Sequence, residues 1–465
     1  MSSGQKLIKN TLIYTVGNFG SKILSFILIP IYSYFLSKKE LGEYDLVLTT
    51  VNLLLPIVSL QMNEAIYRWL IENKTDSKHL FRQTILLLLL SFVVTEICIH
   101  ILNQFYNIIY IRELSILLFT SCLLPFFQQI LRGLGLTKYY SFIGITNSFF
   151  IFFFSILFLL TNIFDDKVKG IFYALFISNL LSIVFIIYKI KFVFNNFYKI
   201  RIDVKMQKSL LVYSIPLIFN SLSWWIINAS DRFVILKYMS IEDNGIFAVS
   251  SRLPAILTLL NTVFMLAWQD LAISANDDNN PFYSKLFNKY ISINLVIALL
   301  LVSASPVITY YLFDDKFYES WKYAMLLYVG SAFSSISGFL GAIYLKTKST
   351  KGILITSIIG AIINIIISIS LINVIGLYAP AFGSVCSFIV IFILRYSQIK
   401  SVFKLKINYK VLFFQLILLS IVILINIYLE SKLISLIISL IAFIYMLIIN
   451  RSIIVKLKNK LNIKI

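Results

Sequence analysis

Apolar runs of about twenty residues, each closed by a short polar break, recur along the whole chain, and a run of that length is what an α-helix needs to cross a bilayer. The pattern predicts about fourteen such spans, among them 11–36, 44–71, 210–237, 245–272, 410–429 and 433–450. Within two of them polar positions return every three or four residues. In the second span these are Asp45, Thr49, Asn52, Pro56, Ser59 and Asn63, and in the eighth Ser251, Pro254, Thr258, Thr262, Met265 and Gln269. Such spacing lays a stripe along one face of a helix. A polar stripe avoids lipid, so each either packs against another helix or lines a water-filled cavity.

The chain also repeats itself. Setting Gly42-Glu43-Tyr44 over Gly245-Ile246-Phe247 brings Glu40 onto Asp243 and Lys22 onto Trp225, with one helix before the loop and one after it in both copies. VKGIFYALF at 168–176 likewise corresponds to VIGLYAPAF at 374–382. An even number of spans per copy makes both enter the membrane from the same side, which puts a pseudo-twofold axis along the membrane normal. The expected organisation is a six-span N-lobe at 1–195, a cytoplasmic linker at 196–209, a six-span C-lobe at 210–400, and a terminal helix pair with a basic tail at 401–465.

Composition narrows the class to an all-α polytopic membrane protein: of 465 residues 59% are hydrophobic and 13% charged, with a mean hydropathy of +0.88. A net charge of +20 would suit nucleic acid. Here, however, Lys and Arg gather in short loops on the side of the N-terminus, where membrane topology accounts for them. Nucleic acid is therefore not an expected partner, and both termini are expected in the cytoplasm. Cys98, Cys122 and Cys386 sit singly in apolar spans and read as packing residues. The first apolar stretch is too long for a signal peptide and lacks a small-residue cleavage site, so it is expected to remain as a span.

Charge within a span costs on the order of 3 kcal/mol at the bilayer centre, so each such residue is a candidate for function. The basic ones are Lys22, Arg68, Arg232 and Arg252; the acidic ones are Glu64, Glu96, Asp231 and Asp270. Glu64 and Arg68 stand at i and i+4 in the favourable order for a pair. Snorkelling accounts for Arg252 as readily as function does, whereas Lys22 lies too deep for it. A cavity with a basic excess suits a phosphate or diphosphate, Arg binding through paired hydrogen bonds and Lys as a point charge. Asp231 either is neutralised by Arg232 and serves packing, or is a proton or sodium site that couples transport to a gradient, with Glu64 and Asp270 as further candidates. Asn52, Asn63 and Asn261 are candidates for sugar hydroxyls. Trp224 and Trp225, mid-span, are either packing residues or a stacking platform. Glu96 and His100 form an i, i+4 pair of structural character. No GxxxxGK[ST] loop is present, His79 and His100 are the only histidines, and no Ser, His and Asp arrangement suggests hydrolysis, so the reading is not an enzyme.

Four segments together carry a family resemblance: KNTLIYTVGNFGSKILSFILIPIYSYFLSKKELGEYDL, EAIYRWL, DRFVILKYMSIEDNGIFAVSSRL and IGLYAPAFGS. In this order and spacing the chain resembles the polysaccharide transporters known as Wzx or O-antigen flippases, over about residues 6 to 400. These belong to the superfamily that also holds the multidrug and toxic compound extruders and the lipid II flippase MurJ. The resemblance implies two six-helix lobes around a central cavity that opens alternately to either side of the bacterial inner membrane. It implies translocation of an undecaprenyl-diphosphate-linked oligosaccharide, an O-antigen or capsule repeat unit, with a proton or sodium gradient as the drive. It also implies work alongside glycan polymerase and chain-length machinery. Arg68, Asp231, Arg232 and Arg252 fall where the family's recurring charged positions lie; Lys22 is added from its depth in the span. A peptidoglycan lipid II flippase and a multidrug or cation exporter stay open as alternatives. So does a membrane glycan polymerase or ligase, though such enzymes carry catalytic groups on a large periplasmic loop and the loops on that side are short here.

Overall fold

The computed structural model describes residues 20–72, 76–161, 163–191, 202–273, 281–346, 350–400 and 404–449. Among these the chain is helical and without strands. Eleven helices are long and apolar enough to cross a membrane by length and composition. The described part of the first span is α1, Gly20–Phe35. It is followed by α2 (Lys38–Val58), α3 (Met62–Glu72), α4 (Ser77–Tyr106), α5 (Ile111–Gly133), α6 (Thr137–Thr161), α7 (Lys167–Lys189) and α8 (Val204–Ala229). Then come α9 (Asp231–Tyr238), α10 (Ile241–Arg252), α11 (Ala255–Ile273), α12 (Pro281–Leu312) and α13 (Ser320–Lys346). The last described elements are α14 (Thr350–Ile375), α15 (Tyr378–Ile399), α16 (Tyr409–Leu429) and α17 (Lys432–Ile449).

Three spans that the hydrophobic pattern presents as continuous are interrupted. The second breaks between α2 and α3, where Leu60 and Gln61 take φ values of 45° and 52°. That left-handed conformation is strained for residues with a Cβ, and it follows Pro56 by one turn. The eighth breaks at Leu253 and Pro254, because a proline has no N–H to continue the ladder. The seventh is interrupted at Ser230, one residue before Asp231. Broken helices place free backbone and side-chain polar groups at membrane depth, which is tolerated only when those groups are buried in protein or line a cavity.

The repeat seen in the sequence reappears as a repeated local structure. α2 starts on a capping box in which Ser37 Oγ accepts from the Glu40 N–H at 3.2 Å and Glu40 Oε2 accepts from the Ser37 N–H at 2.7 Å. α10 starts on the same device: Ser240 Oγ accepts from the Asp243 N–H at 3.1 Å, and Asp243 Oδ2 accepts from the Ser240 N–H at 3.1 Å. Glu40 and Asp243 are the residues that the duplication superimposes.

The chain gathers into two compact units, Met1–Ile226 and Ile227–Ile465. In the first, α5 packs against α2, α3 and α7, and α6 against α7. Asn147 on α6 donates to Asn179 and Ser182 on α7, both at 3.1 Å. Gln83 on α4 accepts from the Asp203 N–H and from Gln207 Nε2, each at 3.1 Å. Asp203, just outside the membrane-spanning part of α8, also accepts from the Met206 N–H and pairs with the His79 ring, contacts that hold its carboxyl below its usual value. α4 turns Leu90, Val93, Val94 and Ile97 outward, an apolar face for lipid.

In the second unit α15 lies against α13 and α14, and α12 against α13, α16 and α17. Trp268 stacks on Phe339 with ring centroids 3.9 Å apart and donates its indole N–H to the Phe339 carbonyl. The last two spans look almost featureless in the sequence, yet α16 is fastened to α12 by Gln415 to Ser292 at 2.8 Å and Asn426 to the Val302 carbonyl at 3.1 Å. Ser435 of α17 in turn donates to Asn426 at 3.0 Å.

Candidate functional site

The break in the second span opens a chamber of about 230 Å³ inside the first unit. Its walls include Asn52, Pro56, Ser59, Gln61, Asn63 and Ser221. Gln61, held in the left-handed region, reaches across to donate to Ser221 Oγ at 3.0 Å. Beside the chamber Glu64 accepts from Gln129 Nε2 at 3.2 Å and from Asn63 Nδ2 at 3.4 Å. Asn63 Oδ1 and Gln129 Oε1 are buried without a hydrogen-bond partner. An unmet buried acceptor is costly, so this region favours a ligand or water that brings donors. The polar stripe of the span is thereby divided: Asp45 and Thr49 are buried in packing, while Asn52, Ser59 and Asn63 face the chamber.

The candidate basic residues of this unit stand elsewhere. Arg68 does not pair with Glu64 as its spacing suggests. It turns one helical turn the other way to Glu72 at 3.2 Å and lies over the Tyr213 ring at 4.6 Å, with its side chain 52% exposed. Glu64 instead accepts from Gln129 and Asn63, both at Oε1. Lys22 is exposed on α1. Trp225 donates its indole N–H to the Thr49 carbonyl at 3.0 Å, which ties α8 to α2, and Trp224 is 38% exposed. Glu96 and His100 do approach, at 3.7 Å, and Glu96 also accepts from Ser115.

The second unit holds a smaller, charged chamber of about 100 Å³, lined by Asp231, Arg232, Ser251, Pro254, Ser331 and Ser384 among others. Asp231 is 3% exposed and opens α9, where a carboxylate is favoured by the helix dipole. Its Oδ1 accepts from Ser368 at 3.4 Å and its Oδ2 from Ser384 at 3.3 Å. Ser368 also reaches Asn364 Oδ1 at 3.0 Å, and Asn364 Nδ2 lies 3.5 Å from Ser384 Oγ. The result is a ring of oxygens drawn from α9, α14 and α15. The ring closes because Gly383 has no side chain: a Cβ there would stand 2.8 Å from Ser368 Oγ and 3.0 Å from the Asn364 carbonyl. Arg232, also buried, donates to Ser251 Oγ at 2.5 Å and lies 5.3 Å from the Phe247 ring centre.

The remaining candidates separate. Asn261 is taken up in the helix packing, donating to Asn294 at 2.7 Å and accepting from Tyr290 at 2.7 Å. Arg252 is half-buried at the end of α10. Neither it, Lys22 nor Arg68 lines either chamber. The side chain of Asp270 lies outside the described residues. The sequence pattern does not single out Asn364, Ser368 and Ser384, because α14 also carries Thr356, Ser357, Ser370 and Asn373; the one local signal is that Asn364 and Ser368 share a face at i, i+4. Nor does it single out Arg395, which is 2% exposed on α15 and donates to Thr356, Ser357 and the Ser337 carbonyl at 3.1, 3.0 and 2.9 Å.

The family described as polysaccharide biosynthesis protein matches the chain over residues 7–269. Among solved structures, the lipid II flippase MurJ in an inward closed conformation superimposes with a TM-score of 0.71 at 17% identity, covering 95% of this chain and 100% of that one. An inward-facing multidrug resistance MATE family transporter of the MOP superfamily gives 0.66 at 16% identity, covering 84% and 96%. A MATE crystallised in complex with MaL6 gives 0.60 at 14% identity, covering 86% and 97%. At such identities the likeness is one of fold. No curated protein matches the chain in sequence.

Proposed function

The chain belongs to the polysaccharide biosynthesis protein family, and from that premise we propose that it is a flippase for lipid-linked oligosaccharides. It would carry an O-antigen or capsule repeat unit on undecaprenyl diphosphate from the cytoplasmic to the outer leaflet of the bacterial inner membrane, and pass it to polymerase and chain-length machinery. The observation that carries the reading is the chamber at the break in α2 and α3. It is uncharged, bordered by Asn52, Asn63 and Gln61, and has unmet acceptors at Asn63 and Gln129 beside it. Sugar hydroxyls donate to such acceptors, and Glu64 beside the chamber is itself bonded to Gln129 and Asn63. Arg68 and Lys22 of the first unit, or Arg252 of the second, are the candidates for the diphosphate, with the prenyl chain left in lipid.

In this reading the Asp231 ring is the coupling site. A buried carboxylate flanked by two serine hydroxyls and an asparagine carbonyl offers the hard oxygen donors that a sodium ion or a proton requires. Its occupancy would bias the two access states through differential affinity.

Complementation in a flippase-deficient strain tests the function. Wild-type protein should restore surface glycan, and charge reversal at Arg68 or Arg252 should abolish it with the protein still in the membrane. Unchanged glycan in both variants rejects the diphosphate assignment. Rescue of cells depleted of the lipid II flippase, without restoration of surface glycan, would move the substrate to a peptidoglycan precursor.

A further inference from the structure

A third chamber, of about 260 Å³, lies within the second unit between α12 and α16 and shares no lining residue with either site above. Its construction begins with the non-helical segment 404–408, which is stitched along the first turns of α12. Ser284 Oγ accepts from the Lys406 N–H at 3.2 Å, Asn288 Nδ2 donates to the Lys406 carbonyl at 2.7 Å, and Asn288 Oδ1 accepts from the Asn408 N–H at 2.7 Å. Leu405 is buried at 3% exposure while Lys404 and Lys406 face outward.

The same segment delivers the start of α16 to the chamber. Asn408 caps the helix through the Val411 N–H, and both residues line the cavity with Lys289, Ser292, Leu412 and Gln415. A helix N-terminus favours an anion, and the exposed Lys285, Lys404, Lys406 and Lys410 add positive charge to this end of the unit.

A second and independent observation concerns Gln415. This side chain is 2% exposed, donates through Nε2 to Ser292 Oγ, and leaves Oε1 buried without a partner. Ser292, having accepted that bond, still has its own O–H to give. One wall therefore presents an unmet acceptor beside a hydroxyl donor, the pair that an alcohol group satisfies in both directions. Around the mouth, Val411 belongs to both the cavity wall and the outer apolar face of α16, where Phe414 and Ile417 are exposed for acyl chains.

We infer that this chamber receives the glycerophosphate headgroup of an anionic phospholipid. The phosphate sits at the lysines and the helix start, a headgroup hydroxyl lies between Gln415 and Ser292, and the acyl chains run down the outer face of α16. The site depends on neither the flippase reading nor the Asp231 ring. The charge chemistry alone would also admit soluble glycerol phosphate; the apolar rim favours the lipid.

The test uses the purified, delipidated full-length protein in detergent, with thermal unfolding followed on addition of phosphatidylglycerol, phosphatidic acid, phosphatidylcholine or soluble glycerol phosphate. Native mass spectrometry counts the lipid retained. Phosphatidylglycerol should give a saturable rise in Tm and one tightly held copy, with phosphatidylcholine and glycerol phosphate inert. Lys289→Gln and Gln415→Leu should each weaken the response by about tenfold. Gln415→Leu should also erase the preference for phosphatidylglycerol over phosphatidic acid, which lacks the headgroup hydroxyl. A lipid-free Tm equal to wild type establishes that a variant folds, and Gln415→Met replaces the leucine variant if it does not. An undiminished response in both Lys289→Gln and Gln415→Leu overturns the inference, as does equal stabilisation by phosphatidylcholine or by glycerol phosphate.

Discussion

Replacing Gly383 by alanine would put a methyl carbon 2.8 Å from Ser368 Oγ, 3.0 Å from the Asn364 carbonyl oxygen and 3.0 Å from Asn364 Oδ1. Two of these are side-chain atoms that could rotate away, but the carbonyl is helix backbone and moves only if α14 and α15 part. Overpacking of this kind costs about 1–3 kcal/mol. The separation also acts on the oxygen ring, because the bonds from Ser368 and Ser384 to Asp231 already measure 3.4 and 3.3 Å, and a few tenths of an ångström more breaks them. Gly360, on the same helix pair, is the control. A methyl group there meets the Ile391 side chain, with Cγ1 at 2.6 Å, and comes no nearer than 3.6 Å to the Ser387 carbonyl. Gly360→Ala should therefore lose comparable stability while leaving the ring intact. The assay is Tm of the purified protein titrated with sodium at constant ionic strength and with pH. Gly383→Ala should lower Tm and weaken the ion response by about tenfold, since 1.4 kcal/mol corresponds to that factor. A wild-type ion response in Gly383→Ala, or an equal loss in Gly360→Ala, would refute the reasoning.

Asp231→Asn keeps the shape of the ring and removes its charge, so glycan export should lose its dependence on the ion gradient; gradient-dependent export in that variant removes Asp231 from the role. Arg395 buries a cation among neutral acceptors only, so Arg395→Met should change stability by no more than about 1 kcal/mol, while Arg395→Glu should cost about 3–5 kcal/mol. Equal Tm losses in the two would contradict that balance. Ser37→Ala and Ser240→Ala should each cost about 0.5–2 kcal/mol and speed hydrogen exchange in the first turns of α2 and α10; unaltered exchange in both means the capping boxes contribute nothing. For Asp203, whose carboxyl lies below its usual 3.8 through the Met206 N–H and the His79 ring, the stability lent is complete above 3.8 and lost as pH falls through the lower folded value. Asp203→Asn should thus be slightly less stable than wild type at neutral pH, with the gap closing only in that acid range; a gap independent of pH contradicts the linkage.

Much of this was legible along the chain, and the parts that were not share a cause. Span positions, the all-α membrane class and the duplication follow from composition and period, because lipid requires every backbone polar group to be satisfied within a helix and so leaves few solutions for a long apolar run. The superimposed Glu40 and Asp243 became equivalent capping residues because a cap is made within four residues. The breaks near Pro56 and at Pro254 were not legible in the hydrophobic pattern, which presents the second and eighth spans as continuous. Helical periodicity did name Asn52 and Asn63 as one face.

What periodicity leaves open is which neighbour that face meets. Arg68 has a carboxylate one turn to either side; it pairs with Glu72, while Glu64 turns to Gln129, brought in from α5. Asn261 looked available until Asn294 and Tyr290 closed on it. Asp231 was marked by its charge, yet its oxygen ring comes from Asn364, Ser368 and Ser384, more than a hundred residues on, and exists only where Gly383 lets two helices approach. The one-dimensional order of residues determines where each helix can form and which of its faces is polar, since both depend on contacts within a turn or two. Which polar groups become a site was settled by helix packing, because hydrogen bonds between helices depend on distances that no local spacing encodes.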